Sequence, residues 1–453
     1  MEPLKYFPAM GRTGTPPVPL GASPGGIGCG TADHFTRRTL LKTLGAAGVS
    51  AWLTPVATLL ARADEKAPRG KPARSVIILW LAGAPSQLET FDPHPESKIA
   101  FGSRAIKTAL PGTQIGDGLP QVAELLKDIT LVRSVTSKEA DHERAVYNMK
   151  TGYRPSPTVV HPAIGAVVCH EMSDSQMDIP RHISILPDKW PARGGYLGGQ
   201  YDAFQIYDPQ GSIEDVTPTV DRARLDERMR DLAVVEKSFG RGRRANIDTA
   251  TTLHQLTMSR AMKMMSSAQL KAFDVSEAPA DQRAAYGDTA FGRGCLAALR
   301  LIESGVRCVE VTLDGWDTHV NNHELQGKKI KTLDPAFAAL IRDLKARNLF
   351  DSTIVLCGGE FGRTPILNPV AGRDHWPFGF SMALAGGGLR RGHVMGATDP
   401  AGEKKEPEKP VRVEDLHATI QQALGIDPEK ELMTPVGRPL ALSDGRVVRE
   451  ILA

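Results

Sequence analysis

The sequence lacks charge imbalance, paired cysteines and any long apolar run, and each shortage removes a class of protein. Across 453 residues, basic side chains exceed acidic ones by only 3. No basic stripe interleaved with aromatics runs through the chain, so nucleic acid is excluded as an expected partner. No uninterrupted apolar stretch approaches the ~20 residues of a membrane-spanning helix. The five cysteines include no CxxC pair, which removes the usual zinc-ribbon and redox spacings. Ser86 sits in no GxSxG elbow, so the hydrolase turn built on that motif is absent. No internal repeat is visible.

What is present reads as a large globular protein. The chain is 41% hydrophobic and 24% charged, with 44 Gly and 33 Pro, which gives ample core material and many loops. Near the N-terminus, residues 36–42 (TRRTLLK) precede a moderately apolar stretch, 44–60, and then Ala-Arg-Ala at 61–63. A twin-arginine pair, an apolar segment and an A-x-A site describe a twin-arginine export signal. We therefore set residues 1–63 apart as signal and leader, with 64–74 as a polar linker. The expected location is periplasmic or otherwise outside the cytoplasm, with the twin-arginine export machinery as a partner. Cys29 goes with the leader. Cys169, Cys295, Cys308 and Cys357 have apolar flanks and read as buried free thiols rather than a disulfide pair.

The body, 75–453, alternates short β-branched runs with helical patterns. The runs are 75–83, 129–135, 182–186, 306–313, 352–359 and 381–387. Helical patterns occupy 142–152, 161–172, 222–239, 250–267, 289–305 and 334–348, which places a helical insertion near 210–290. Buried strands alternating with helices predict a doubly wound, mostly parallel α/β sheet flanked by helices. Ligands of such sheets bind beyond the carboxyl ends of the strands. Four polar blocks stand there: 84–93, 136–152, 314–323 and 358–377.

These blocks hold the candidate residues. Asp314, Asp317, His319 and His323 mix carboxylate and imidazole, the ligand types of zinc and other first-row divalent ions. Asp317 and His319 straddle one residue, so both can point the same way from an extended segment. The last block adds Glu360, Arg363, Arg373, Asp374 and His375. A planar guanidinium suits phosphate, sulfate or carboxylate oxygens, while an Arg–Asp pair can equally pin a loop. Asp141 and His142 open a helical pattern, where a free helix end holds an anion or an Asp simply caps it. Ser86, Glu89 and Asp92 follow the first strand, as hydroxyl nucleophile, ligand or capping groups.

The order of these motifs (WLAGAPSQLETFDP, RSVTSKEADHERAVYNMKTG, VEVTLDGWDTHVNNH, GGEFGRTP, GRDHWPFGF, TPVGRP) resembles the bacterial family catalogued as domain of unknown function 1501. The resemblance spans the mature chain. It implies an alkaline phosphatase-like fold, shared with sulfatases and cofactor-independent phosphoglycerate mutases, with one or two metals at the strand ends. Several superfamily positions are changed. The carboxylate expected after the first strand is replaced by Ala82-Gly83-Ala84, unless Asp92 or Ser86 substitutes. His142 stands where sulfatases carry the Cys or Ser nucleophile, nine residues before Thr151-Gly152. Glu360-Phe361 replaces an Asp-His pair, and His375 matches the last His. The resemblance thus implies a metal shell of Asp317, His319, Glu360, Asp374 and His375, holding zinc, calcium or manganese without distinction. Arg363 and Arg373 would hold the anionic group, and His142 or Ser86 would be nucleophile or proton carrier. The expected activity is hydrolysis of a phosphate or sulfate ester of a small molecule or glycan. The alternative is a non-catalytic module that binds anionic or sulfated glycans or a partner protein.

Overall fold

In this computed structural model the described residues are 71–453, apart from 174–176, 211–212, 214–215 and 241–252. The leader, its twin-arginine motif and Cys29 lie outside them.

A nine-stranded sheet organises the chain. Its strands are β1 (Ser75–Leu81), β2 (Ile129–Thr136), β3 (His182–Ile185), β4 (Phe204–Ile206), β5 (Cys308–Leu313), β6 (Thr353–Gly358), β7 (Phe380–Gly386), β8 (His393–Met395) and β9 (Val411–Arg412). Their spatial order is β8-β2-β7-β6-β1-β5-β3-β4, with β9 also on β2. All pairings are parallel except those of β7, which runs antiparallel to β2 and β6. The fold is thus a mixed, mostly parallel central sheet flanked by helices. The six longer strands, β1, β2, β3, β5, β6 and β7, were all legible as apolar runs, because covering both faces removes the polar alternation of a half-exposed strand. The three-residue β4 and β8 and the two-residue β9 were not: such short edge strands carry no period.

Among the described residues there are seven helices of eight residues or more: α1 (His142–Thr151), α2 (Ile164–Glu171), α3 (Arg222–Gly240), α4 (Leu253–Met265), α5 (Ala290–Glu303), α6 (Asn322–Ala346) and α7 (Val413–Ala423). β1 shows how the core divides. Ile77, Leu79 and Leu81 face α5 and α6, joining Leu296, Phe337 and Leu340. Val76 and Trp80 face the other way, joining Val146, Ile164 and Leu416. Each such side chain contributes about 1.5–3 kcal/mol by leaving water. Cys169, Cys295, Cys308 and Cys357 are buried free thiols within these layers. Among the described residues no helix is long and apolar enough to cross a membrane.

Two boundaries differ from expectation. The helix expected at 334–348 begins at Asn322 and carries Pro335 inside it. Asp334, the apparent start signal, serves another element: its carboxylate accepts from the backbone of Gln121 and Val122, at the start of the short helix Pro120–Glu124. At the linker end, Ala73 and Arg74 already donate to Ala423 and Ser352 and belong to the body.

Register sets the site. Leu81 pairs with Leu313, Trp80 with Gly358, and Val135 with Phe380. The chain therefore leaves β1, β2, β5 and β6 at one edge of the sheet, and the four polar blocks meet there.

Candidate metal centre

Asp317 is the hub of these blocks. Its Oδ1 lies 3.1 Å from His319 Nε2 and 3.5 Å from His375 Nε2, and its Oδ2 lies 3.4 Å from His142 Nε2. The two rings His319 and His375 approach to 3.0 Å, Nε2 to Nε2. Each imidazole has its other nitrogen engaged. His319 Nδ1 is 2.8 Å from Asp374 Oδ1, His375 Nδ1 is 2.7 Å from the Ala140 carbonyl, and His142 Nδ1 is 2.7 Å from Glu360 Oε1. These partners only accept, so each Nδ1 carries a hydrogen; His142 holds a second one at Nε2 against Asp317 Oδ2, and in neutral His319 and His375 the Nε2 lone pair faces Asp317. That is the tautomer of a metal-ligating histidine oriented by an outer acceptor. Ligands held ~2.1 Å from a tetrahedral zinc stand about 3.4 Å apart. The triangle of Asp317 Oδ1, His319 and His375, with edges of 3.0, 3.1 and 3.5 Å, has the size of one face of such a site. His142, Asp317 and His375 also bring ligand atoms within 4.8 Å of one another, so His142 borders the same point.

Local structure explains how the chain places these groups. Asp141 caps α1 through the Arg144 amide, which sets His142 at the first helical position with its ring over the strand ends. Burial opposes charging His142, but its hydrogen bonds to Asp317 and Glu360 outweigh it and push the pKa up to about 9. Burial likewise works against ionised Asp317, yet His142, His375 and Arg363 hold its carboxyl well below the usual range. The His319 contact lowers Asp374. Gly83, with φ of +101°, lets the end of β1 pass beneath Asp317; a Cβ there would meet the Asp317 amide at 2.5 Å. The Gly83 amide donates to Glu360.

Not every expected residue reaches this point. Asp317, His319 and His375 converge on it, with Asp374 and Glu360 one bond behind, on His319 and His142. Arg363 and Arg373 do not face an anion site. Both are fully buried. Arg363 donates to the carbonyls of Gly83, Ala84 and Arg373 and to Asp317. Arg373 donates to Glu89 and to the carbonyls of Thr364, Pro365 and Ile99. Their donors are consumed by loop backbone, so they tie the blocks together. Ser86 is fully buried, out of reach of a substrate, which corrects its reading as nucleophile. Asp92 does not replace the first-strand ligand either: it accepts from the amide and hydroxyl of Thr398. His323 turns to Glu89, at 3.1 Å. That contact raises the His323 pKa, while Glu89 is held down at about 2, against burial, by His323 and Arg373.

The centre opens into a cleft of about 730 Å³ lined by His142, Asp317 and Glu360 on one side and Lys189, Trp190 and Tyr207 on the other. The last three were absent from the sequence reading. They sit in an irregular segment with no periodicity, and Tyr207, 74% exposed, is a signal only once the cleft is seen.

Solved structures similar to this chain include a protein in the alkaline phosphatase superfamily from Vibrio parahaemolyticus, at 10% identity, covering 85% of this chain and 72% of that one, with a TM-score of 0.41. A sulfatase from Pseudoalteromonas sp. is similar at 12% identity, over 82% and 70% of the two chains, with a TM-score of 0.36. A phosphonate monoester hydrolase from Silicibacter pomeroyi is similar at 11%, over 84% and 76%, also at 0.36. Comparison with curated proteins finds no match. The model of one family, described as a protein of unknown function (DUF1501), matches residues 73–452, and the chain belongs to that family.

Proposed function

We propose that this protein is an exported, divalent-metal-dependent hydrolase of phosphate or sulfate esters. The observation that carries the reading is the set of imidazoles with Nδ1 engaged and Nε2 turned to Asp317. Asp317, His319 and His375 would hold the ion, with Arg363 fixing Asp317 and with Asp374 and the Ala140 carbonyl fixing the rings. A bound divalent ion polarises an ester oxygen and lowers the pKa of a bound water. His142 faces the other oxygen of Asp317 and the cleft, and Glu360 orients it. Carrying a proton at Nε2, it would donate to the departing alcohol oxygen. With both arginines consumed, the cations left lining the cleft are His142 and Lys189, and these would meet the anionic group. Export rests on the leader at residues 36–63.

Elemental analysis of the purified, folded protein tests this, paired with hydrolysis of aryl phosphate and aryl sulfate esters before and after chelation. The expected result is bound divalent metal and turnover that chelator removes and added metal restores. A metal-free protein that stays inert with divalent ions added back would sink the proposal. Glycan binding that survives chelation and His375→Ala would instead mark a non-catalytic binding module.

A further inference from the structure

Beneath the cleft a buried lysine joins the two sides of the candidate site. Lys150 lies on α1, the helix that begins with His142, and its side chain is only 6% exposed. Its ammonium donates to Glu310 on β5 at 2.9 Å, to the Trp190 carbonyl at 2.9 Å, and to Asp188 Oδ1 at 3.4 Å. Three acceptors use all three ammonium protons. Asp188 in turn accepts from the Trp190 amide and the Trp80 indole, each at 2.8 Å. The Trp190 backbone is therefore fixed at both its carbonyl and its amide. Its ring lies 14° from parallel with His142, at 6.4 Å, with Lys189 Nζ 4.0 Å from its centre. Leu186, at the start of this segment, has φ of +54°. A left-handed leucine is strained and persists where its surroundings over-determine it.

We propose that Lys150, clamped between Glu310 and Asp188, is a positioning residue that holds the Leu186–Trp190 wall of the cleft against His142 and so fixes where substrate sits. A single buried ammonium serving one helix, one strand and the cleft wall suits that task. Packing alone would be met by an apolar residue. The inference rests on the cleft being a substrate site.

The test uses Lys150→Met combined with Glu310→Gln, because removing the lysine alone strands the buried Glu310 charge, whereas Asp188 keeps the Trp190 amide and the Trp80 indole as donors. Two readouts are taken on the metal-replete full-length protein. Amide exchange over residues 186–190 should speed up by about tenfold or more while α5 is unchanged, since local opening reports local restraint. KM for an aryl ester should rise several-fold, with kcat and metal content near those of the parent. Unchanged exchange at 186–190 overturns the clamp. Faster exchange with unchanged KM overturns its role in substrate placement. If the parent protein hydrolyses no ester with any metal, the hydrolase reading fails separately, and the exchange result alone decides the clamp. Should the double variant not fold, Trp190→Leu gives the same KM test without touching the buried charges.

Discussion

His319 Nε2 and His375 Nε2 face each other at 3.0 Å although each ring has already given its Nδ1 hydrogen to another acceptor. Two lone pairs beside the Asp317 carboxylate repel unless a cation lies among them. A shared proton satisfies one pair of atoms, whereas a divalent ion satisfies all three, with the ligand types zinc prefers. The outer acceptors then matter as much as the ligands themselves.

Asp374 is the clearest case. It does not join the Asp317, His319 and His375 triangle itself; it accepts from His319 Nδ1 and from Asn368. We expect Asp374→Ala to leave the fold intact and to weaken metal binding by about 10–100-fold. Competition with a graded series of chelators measures it. Unaltered affinity would place His319 outside the ion's ligands.

Arg363 makes the opposite prediction to an arginine that binds substrate. Its four acceptors come from the ends of three separate loops, and no solvent reaches it. Arg363→Met should cost about 3–5 kcal/mol in urea unfolding, because it leaves the carbonyls of Gly83, Ala84 and Arg373 without this donor. Arg363→Lys should recover little, since a single ammonium cannot span that fork. A substrate-binding arginine would show the reverse, with stability preserved and KM raised.

These arginines also mark the limit of what the sequence discloses. The strands β1, β5 and β6 were legible because a doubly covered strand is a plain apolar run ended by Gly or a polar block. The site's location followed, since ligands gather beyond strand ends. Asp317 and His319 were legible from their spacing, and His142 from its place at a helix start. The destination of a guanidinium was not: Arg363 reads the same whether it meets a sulfate or three carbonyls. Asp92 and Asp334 were likewise ambiguous, because a carboxylate capping a distant loop leaves no local pattern. One signal was available and unused. Glu310 is the one acid in the run Val306–Leu313, and a buried acid demands a buried partner; Lys150 is that partner.

Gly83 gives a prediction about backbone rather than side chain. Gly83→Ala adds a Cβ 2.5 Å from the Asp317 amide, at φ of +101°. The clash cannot be relieved by a rotamer change, because the obstructing atoms are backbone. We expect lower stability and, with it, loss of bound metal as Asp317 is displaced. Gly112→Ala is the control: its φ is +79° but nothing lies within 4 Å, so it should cost only the ~1 kcal/mol of backbone strain and keep the metal. Equal metal loss in the two variants would show that Gly83 is no special support for Asp317.

Stability should fall as the solution is made acidic, through two histidines remote from the cleft loops. His182 and His417 are buried, and burial lowers each pKa to about 4, against hydrogen bonds to the carbonyls of Tyr201 and Met149. In the unfolded chain both titrate near 6.5. Above pH 6.5 neither state binds these protons and they do not affect stability. Between pH 6.5 and 4 the unfolded chain binds protons that the folded chain refuses, so unfolding becomes easier as pH falls. A depression of this size costs about 3 kcal/mol for each histidine once the pH reaches 4. Urea unfolding followed from pH 7 to pH 4 should show that loss, and His417→Gln, which keeps a donor for the Met149 carbonyl, should remove roughly half of the slope. A slope that His417→Gln leaves unchanged would mean that the folded protein protonates His417 as readily as the unfolded chain does, and the loss on acidification would then belong to the carboxylates around Asp317 and Glu89.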